Sequence, residues 1–227
     1  MGKRIRSITV EGADAVGKTT QLNLIAKRLK ERNTPVHQTK LLGGTGDDPF
    51  QNAFRTILLS PKFPKDRWEL EEQLFAITCG EATKQGVEFL NKNEVGVVVR
   101  DRGIASHWSY ATAKGIRADV VESIFRDLII ANKDINRRFG SLDIILLPDN
   151  VEWTQRRIAA RHAKDGVEYV ARLENVEMQQ NVVAAMRQVP FYNWAKDLNF
   201  ELISVSEQDT IQDVQAKIDF VLARYEF

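Results

Sequence analysis

Five short apolar runs separated by stretches of helical periodicity predict an α/β protein, a five-stranded parallel sheet with helices on both faces. The runs are Arg4–Glu11, Val36–Leu42, Val95–Arg100, Leu142–Leu147 and Glu201–Val205. After the first of them, Gln21–Arg32 places Leu22, Ile25, Ala26 and Leu29 on one helical face. A long helix is expected near Arg67–Asn93, between the second and third runs. The last helix repeats the pattern with Ile211, Val214, Ile218, Val221, Leu222 and Tyr225. In such sheets ligands bind beyond the carboxyl ends of the strands, so the residues that follow each run are where chemistry is sought.

The chain has 227 residues, of which 43% are hydrophobic and 28% charged, which suits one globular domain spanning 1–227. A formal net charge of +1 gives no global nucleic-acid or membrane signature, so an anionic partner must be held by a local cationic cluster. A single cysteine, Cys79, excludes an internal disulfide and fits a reducing, cytoplasmic setting. The longest apolar runs are too short to span a bilayer, and no membrane partner is expected. No repeat, low-complexity block or linker divides the chain.

The first run ends in Gly12-Ala13-Asp14-Ala15-Val16-Gly17-Lys18-Thr19-Thr20, which fits G-x-x-x-x-G-K-[ST] between a strand and a helix. Gly12 and Gly17 permit backbone angles and close approaches that a side chain would obstruct. The loop amides and the start of the following helix then form a cradle for phosphate. Lys18 reaches the outer phosphates, and the Thr19 hydroxyl suits a Mg²⁺ ligand. The residues therefore point to ATP-type phosphate binding. A Gly-containing turn with an exposed lysine is the plainer alternative, and the strand–helix setting argues against it.

Asp101 and Arg102 follow the third run directly. An aspartate there can hold a metal-bound water or orient an acceptor, and the arginine can bind an acceptor phosphate. Alternatively the two form a surface pair that ends a strand. A basic cluster, Arg156, Arg157, Arg161, His162, Lys164 and Arg172, surrounds Lys164-Asp165-Gly166. Arg157 and Arg161 are four residues apart and share one helix side, which suits a basic lid over a transferring phosphoryl group. A solvated helix face is the alternative. The three histidines and Cys79 show no metal-ligand spacing.

In this order the pieces resemble the thymidylate kinase family, from about Ile5 to Met186. EGADAVGKTTQL resembles its phosphate loop, LLGGTGDDPFQNAFRTILLS its Gly-Gly-Thr segment, and EQLFAI its base-stacking Phe. RDRGIASHWSYA and RRIAARHAKDGVEYVARLENVEMQQ resemble its Asp-Arg signature and its lid. The resemblance implies a P-loop kinase fold with a lid near 161–172, ATP as donor, Mg²⁺ as cofactor, and a deoxynucleoside monophosphate as acceptor. It also implies a homodimer.

Residue roles follow from the same resemblance. Lys18 and Thr19 handle ATP phosphates and metal, with Asp101 beside the metal. Asp14 lies near the acceptor's 3′-hydroxyl. Phe75 stacks on the base, and Arg55 and Arg102 hold the acceptor phosphate. Ser106 and His107 lie near the base edge. Tyr110 presses against the sugar or is simply a core tyrosine. Because Ala15 is not an arginine, the transition-state cation comes from the lid, as Arg161 or Arg157.

The chain departs from the family in several places. An arginine that the family commonly places one turn beyond the Phe is Cys79 here, which removes a cation from the acceptor side. Lys40-Leu41-Leu42 replaces Arg-Glu-Pro, Gly103 an aromatic residue, and Ala111 a glutamine. Pro148 takes the place of an aspartate. Three readings therefore stand at this stage. The first is a kinase of dTMP or a related 5-substituted deoxyuridine monophosphate. The second is a P-loop kinase of a nucleoside hydroxyl or of a modified pyrimidine in DNA, although near-zero net charge disfavours a polynucleotide groove. The third is a regulatory nucleotide switch.

Overall fold

The computed structural model describes residues 4–40, 49–58, 67–165 and 175–225. Gly43, Gly44, Thr45 and Arg172 lie outside the described residues, as do the side chains of Arg55, His162 and Lys164.

Five parallel strands form one sheet in the order β2-β3-β1-β4-β5. Central β1, Ser7–Gly12, lies between β3, Val97–Asp101, and β4, Ser141–Pro148. The edges are β2, Val36–Lys40, and β5, Phe200–Val205. The three inner strands are buried along their whole length, as parallel strands covered on both faces must be. Pairing of Val10 with Asp101 and of Gly12 with Leu146 brings three strand ends to one level. That level is where the site forms.

Alternation along the strands divides the apolar residues between two faces. Ile144 and Leu146 pack with Leu22, Ile25 and Leu29 of α1, Lys18–Glu31, and with Val214, Ile218 and Leu222 of the last helix, Ile211–Ala223. Ile145 and Leu147 face the opposite way. They join Ile104 and Trp108 of Ile104–Ala113, Phe125 of Ala118–Phe139, and Val182 and Met186 of Val176–Gln188. In chain order the helices are α1, α2 (Pro49–Leu58), α3 (Trp68–Lys92), α4 (Ile104–Ala113), α5 (Ala118–Phe139), α6 (Val151–Asp165), α7 (Val176–Gln188) and α8 (Ile211–Ala223). The expected helices at Gln21–Arg32, Arg67–Asn93 and Ile211–Tyr225 correspond to α1, α3 and α8.

Two strand starts are later than expected, each for a local reason. The first run begins pairing at Ser7 rather than Arg4. Arg6 turns its guanidinium toward the end of α3, donating to the carbonyls of Leu90 and Gly96, each at 3.0 Å. The third run begins at Val97 rather than Val95, because Asn93 to Gly96 closes a turn with an N–H···O bond of 3.1 Å. Of the second run, Leu41 and Leu42 lie outside the described residues.

Phe125 is fully buried beneath the α4 face that carries the site residues. Phe125→Ala is expected to lower unfolding stability by about 3–5 kcal/mol, through lost burial and a residual cavity. Urea titration of the purified variant measures this.

Candidate active site

The loop joining β1 to α1 is shaped by two glycines. Gly12 has φ +144°, and a Cβ there would lie 2.4 Å from the backbone oxygen of Leu146 on the adjacent strand. Gly17 has φ +105° and delivers the chain into α1. Ala15 takes a left-handed turn at φ 59°. Lys18 then folds back over the loop, its Nζ donating to the Ala13 carbonyl at 2.6 Å. Burial, followed by the positive charge of Arg102, lowers its pKa to about 8; Asp14, Asp101 and Glu11 oppose that shift. The Thr19 hydroxyl donates to Asp101 Oδ2 at 2.5 Å, so the first and third strand ends meet there.

Arg102 adopts φ 72°, a conformation that costs free energy for any residue with a Cβ. Its N–H donates to the Val10 carbonyl at 3.0 Å. This geometry aims the guanidinium across the sheet ends. It forms an ion pair with Asp14 and donates to the Gly12 carbonyl at 3.3 Å. It also lies 5.4 Å from the centre of the Tyr110 ring. Asp14 is held from three further directions. Tyr110 donates its hydroxyl proton to Oδ2 at 2.7 Å, and Gln179 Nε2 donates to the same oxygen at 3.3 Å. The Asp14 N–H donates to Gln179 Oε1 at 3.1 Å. Burial alone would raise the Asp14 pKa. Arg102 acts against it, with Lys18, the Tyr110 hydrogen bond and Arg161, and together they hold the carboxyl below its usual range.

The aromatic part of the site lies between α3 and α4. Phe75 meets His107 with ring centres 5.0 Å apart, and His107 meets Phe125 at 5.8 Å. Burial, with Arg102 and Lys114 nearby, lowers His107 to about 3, so its imidazole is neutral. Ser106 occupies the first turn of α4.

Several expected members do not come together equally. Arg161 lies on α6, and its charge acts on Asp14. Arg157, one turn earlier, places its guanidinium 4.5 Å from the centre of the Trp153 ring on the same helix. The two arginines therefore differ: the Arg157 guanidinium lies over Trp153, and the Arg161 charge acts on Asp14.

The structure also shows participants that reading the sequence missed. Glu11 is completely buried and accepts from the Ala105 and Ser106 amides at 3.1 and 3.2 Å, and from the Ser106 hydroxyl. A carboxylate at those amides complements the positive end of α4, although burial and Asp143 raise its pKa. An acidic residue inside the apolar run ITVEG is the signal that marked it. Gln179 carried no such signal. Nor did the cluster in which buried Lys114 pairs with Glu72 at 2.5 Å and Glu71 at 3.4 Å, beside Trp68 and Phe75. Burial raises Glu72 to about 7 despite that lysine.

Cys79 is 4% exposed, and burial keeps its thiol protonated by raising its pKa. A guanidinium is nevertheless close. Glu11 and Arg100 of β3 act on the Cys79 thiol in opposite directions, and the Arg100 guanidinium is itself bonded to Thr83, Ser7 and Asn132, so it does not restore the cation at this position of α3.

A family model described as thymidylate kinase matches residues 10–218. The chain belongs to the thymidylate kinase family. It is similar to the thymidylate kinase of Sulfurovum sp. (strain NBC37-1), 29% identical over 180 residues covering 78% of this chain and 84% of that protein. The thymidylate kinase of Campylobacter fetus subsp. fetus (strain 82-40) is 25% identical over 213 residues, covering 93% of this chain and 97% of that one. The solved thymidylate kinase of Candida albicans shares the fold, with a TM-score of 0.68 at 18% identity; the match covers 100% of this chain and 94% of that one. Membership makes the protein a nucleoside monophosphate kinase of the P-loop kinase fold, which uses ATP with a divalent metal. Among the described residues, no helix is long and apolar enough to cross a membrane.

The position of Lys18 predicts a proton-linked donor site. With a pKa of about 8 it is roughly half charged at pH 8 in the free protein, and phosphate anions favour its charged form. ATP binding should therefore take up protons, increasingly from pH 7 to 8.5. Calorimetry in buffers of different ionisation enthalpy measures the uptake, and Lys18→Met is expected to abolish it.

Proposed function

We propose that the protein transfers the γ-phosphoryl group of ATP to dTMP, or to a related 5-substituted deoxyuridine monophosphate, giving the diphosphate. The observation that carries this reading is the placement of Asp14. It is a carboxylate within the phosphate loop whose ion-pair and hydrogen-bond partners, Arg102, Tyr110 and Gln179, come from outside that loop, on the side we assign to the acceptor. A loop built only to hold a triphosphate has no need of that arrangement.

The donor triphosphate lies along the amides from Gly12 to Thr20, that is Gly12, Ala13, Asp14, Ala15, Val16, Gly17, Lys18, Thr19 and Thr20. Lys18 leaves the Ala13 carbonyl to meet the outer phosphates. The Thr19 hydroxyl and the Asp101 carboxylate are hard oxygen donors at bonding distance from each other, and they fit Mg²⁺ completed by phosphate and water oxygens. When bound, that ion neutralises phosphate charge and orients the γ-phosphoryl group.

On the other side, Phe75 offers its ring to the base, and Ser106 and His107 border the base edge. Arg102, with Arg55, holds the acceptor phosphate, whose oxygen attacks the γ-phosphorus in line. Tyr110 is 9% exposed and fixed on Asp14, a rigid wall against the sugar rather than a residue of the core alone. Arg161 supplies the cation that meets charge developing on the transferred group, a task we assign to it over Arg157.

Retention of Arg55 and Arg102 lessens the case for an uncharged acceptor such as a nucleoside hydroxyl. We further propose one domain over 1–227, a lid near 161–172 and a cytoplasmic location, the last supported by a lone buried thiol. A homodimer is supported by the exposed apolar side chains of Ile57 on α2 and Leu70 and Ile77 on α3.

Coupled measurement of ADP formation tests the reading. Lys18→Met is expected to lower kcat/KM for dTMP by about 10³-fold or more. Arg161→Ala should lower kcat by about 10²-fold, and Arg157→Ala by less than about threefold. Equal losses from the two arginine variants would return the transition-state role to both.

A further inference from the structure

One turn below Phe75, α3 presents Cys79, and a turn further on Ala82 and Thr83 occupy the same face. Against that face lies a small cavity whose lining includes Cys79, Thr83, Arg100, Arg102, Gly103 and Asn132. Its volume is about 10 Å³, room for a single water-sized group. Arg102, which pairs with Asp14 in the candidate site, lines it as well. A small residue bounds this space on α3, where Cys79 contributes only a thiol.

The lining mixes apolar side chains (Ala82, Ile104, Leu128) with polar ones and carries the charges of Arg100 and Arg102, with buried Asp143 near Arg100. Arg100 is 6% exposed, and its terminal nitrogens are committed to Thr83 at 3.3 Å and to Ser7 and Asn132 at 3.2 Å each. Its Nε is buried and has no hydrogen-bond partner among the described residues. A buried donor on a charged group is costly to leave unpaired, so an acceptor atom entering this cavity gains more than an apolar group does. A methyl group would leave the donor as it is. A primary amine would bring a second positive charge beside Arg100 and Arg102.

We propose that this cavity is a subsite for a hydroxyl carried at position 5 of the acceptor pyrimidine, and that 5-hydroxymethyl-dUMP is a better acceptor than dTMP. The proposal rests on the reading of Phe75 as the surface on which the base stacks. A base on that ring turns one edge toward Cys79, and a substituent on this edge enters the space below. The hydroxyl oxygen accepts from Arg100, and its size matches the cavity. Larger polar substituents are excluded by the same walls.

The test compares dUMP, dTMP and 5-hydroxymethyl-dUMP as acceptors, by kcat/KM and by equilibrium Kd. The wild-type protein is expected to favour 5-hydroxymethyl-dUMP over dTMP by about tenfold or more in both, as a hydrogen bond to a charged partner implies. Cys79→Leu fills the cavity with side chain. It should erase the preference, bringing the two acceptors within about threefold of each other in both measurements. Arg100→Lys keeps a charge but removes the Nε donor, and should also erase it. Equal Kd values, or a preference for dTMP, overturn the subsite and leave the kinase reading intact wherever diphosphates form. A preference in Kd without any diphosphate product overturns the kinase reading and leaves the subsite standing. A preference that survives Cys79→Leu places the hydroxyl elsewhere and overturns the proposal.

Discussion

The ion pair between Asp14 and Arg102 ties the site together. It joins the phosphate loop to the residue after β3, and through Tyr110 and Gln179 it draws in α4 and α7. Both side chains are about one-fifth exposed, so neither charge is freely hydrated. Leaving either one alone would cost on the order of 3–5 kcal/mol, the penalty for an uncompensated buried charge. The pair also explains why Arg102 tolerates a left-handed backbone: an extended residue at that position would aim its guanidinium elsewhere. Local strain is offset by an electrostatic arrangement that only this geometry completes.

Charge burial runs through the rest of the site in the same way. Lys18 and Glu11 both lie in surroundings that disfavour their ionised forms, and Lys114 has Glu71 and Glu72 against it. For Lys18 the sign is clear. Its folded pKa is below its unfolded value, so the penalty of keeping it charged is present below about pH 8 and fades as pH rises toward the unfolded value. Such a lysine does not stabilise the free protein. It is a group held ready for anionic phosphate, and stability is exchanged for that readiness.

The architecture was largely legible in the sequence, because buried parallel strands are continuous apolar runs and covering helices keep a 3.6-residue period. Val97-Val98-Val99 and Ile144-Ile145-Leu146 declare themselves in this way. The donor loop was legible for a different reason: its chemistry demands glycines and a lysine at fixed spacing within one short segment. The acceptor side draws on residues far apart in the chain. Gln179 reaches Asp14 across 165 positions, and Lys114 reaches Glu72 across 42, with no local pattern to announce either. The contact of Arg157 with Trp153 sets it apart from Arg161, which helical spacing alone had placed beside it.

Asp14 sits inside the phosphate loop yet is bound by Arg102, Tyr110 and Gln179, which we propose belong to the acceptor side, and Asp14→Asn separates those two allegiances. It keeps the size of the side chain and removes the charge that Arg102 and Tyr110 engage. Steady-state kinetics with dTMP, together with ATP titration of the same variant, measures both sides at once. We expect kcat to fall by about 10²-fold or more, while the Kd for ATP stays within about threefold of wild type. A variant that loses ATP affinity in proportion to its loss of turnover would contradict this account, and would make Asp14 a donor-site residue.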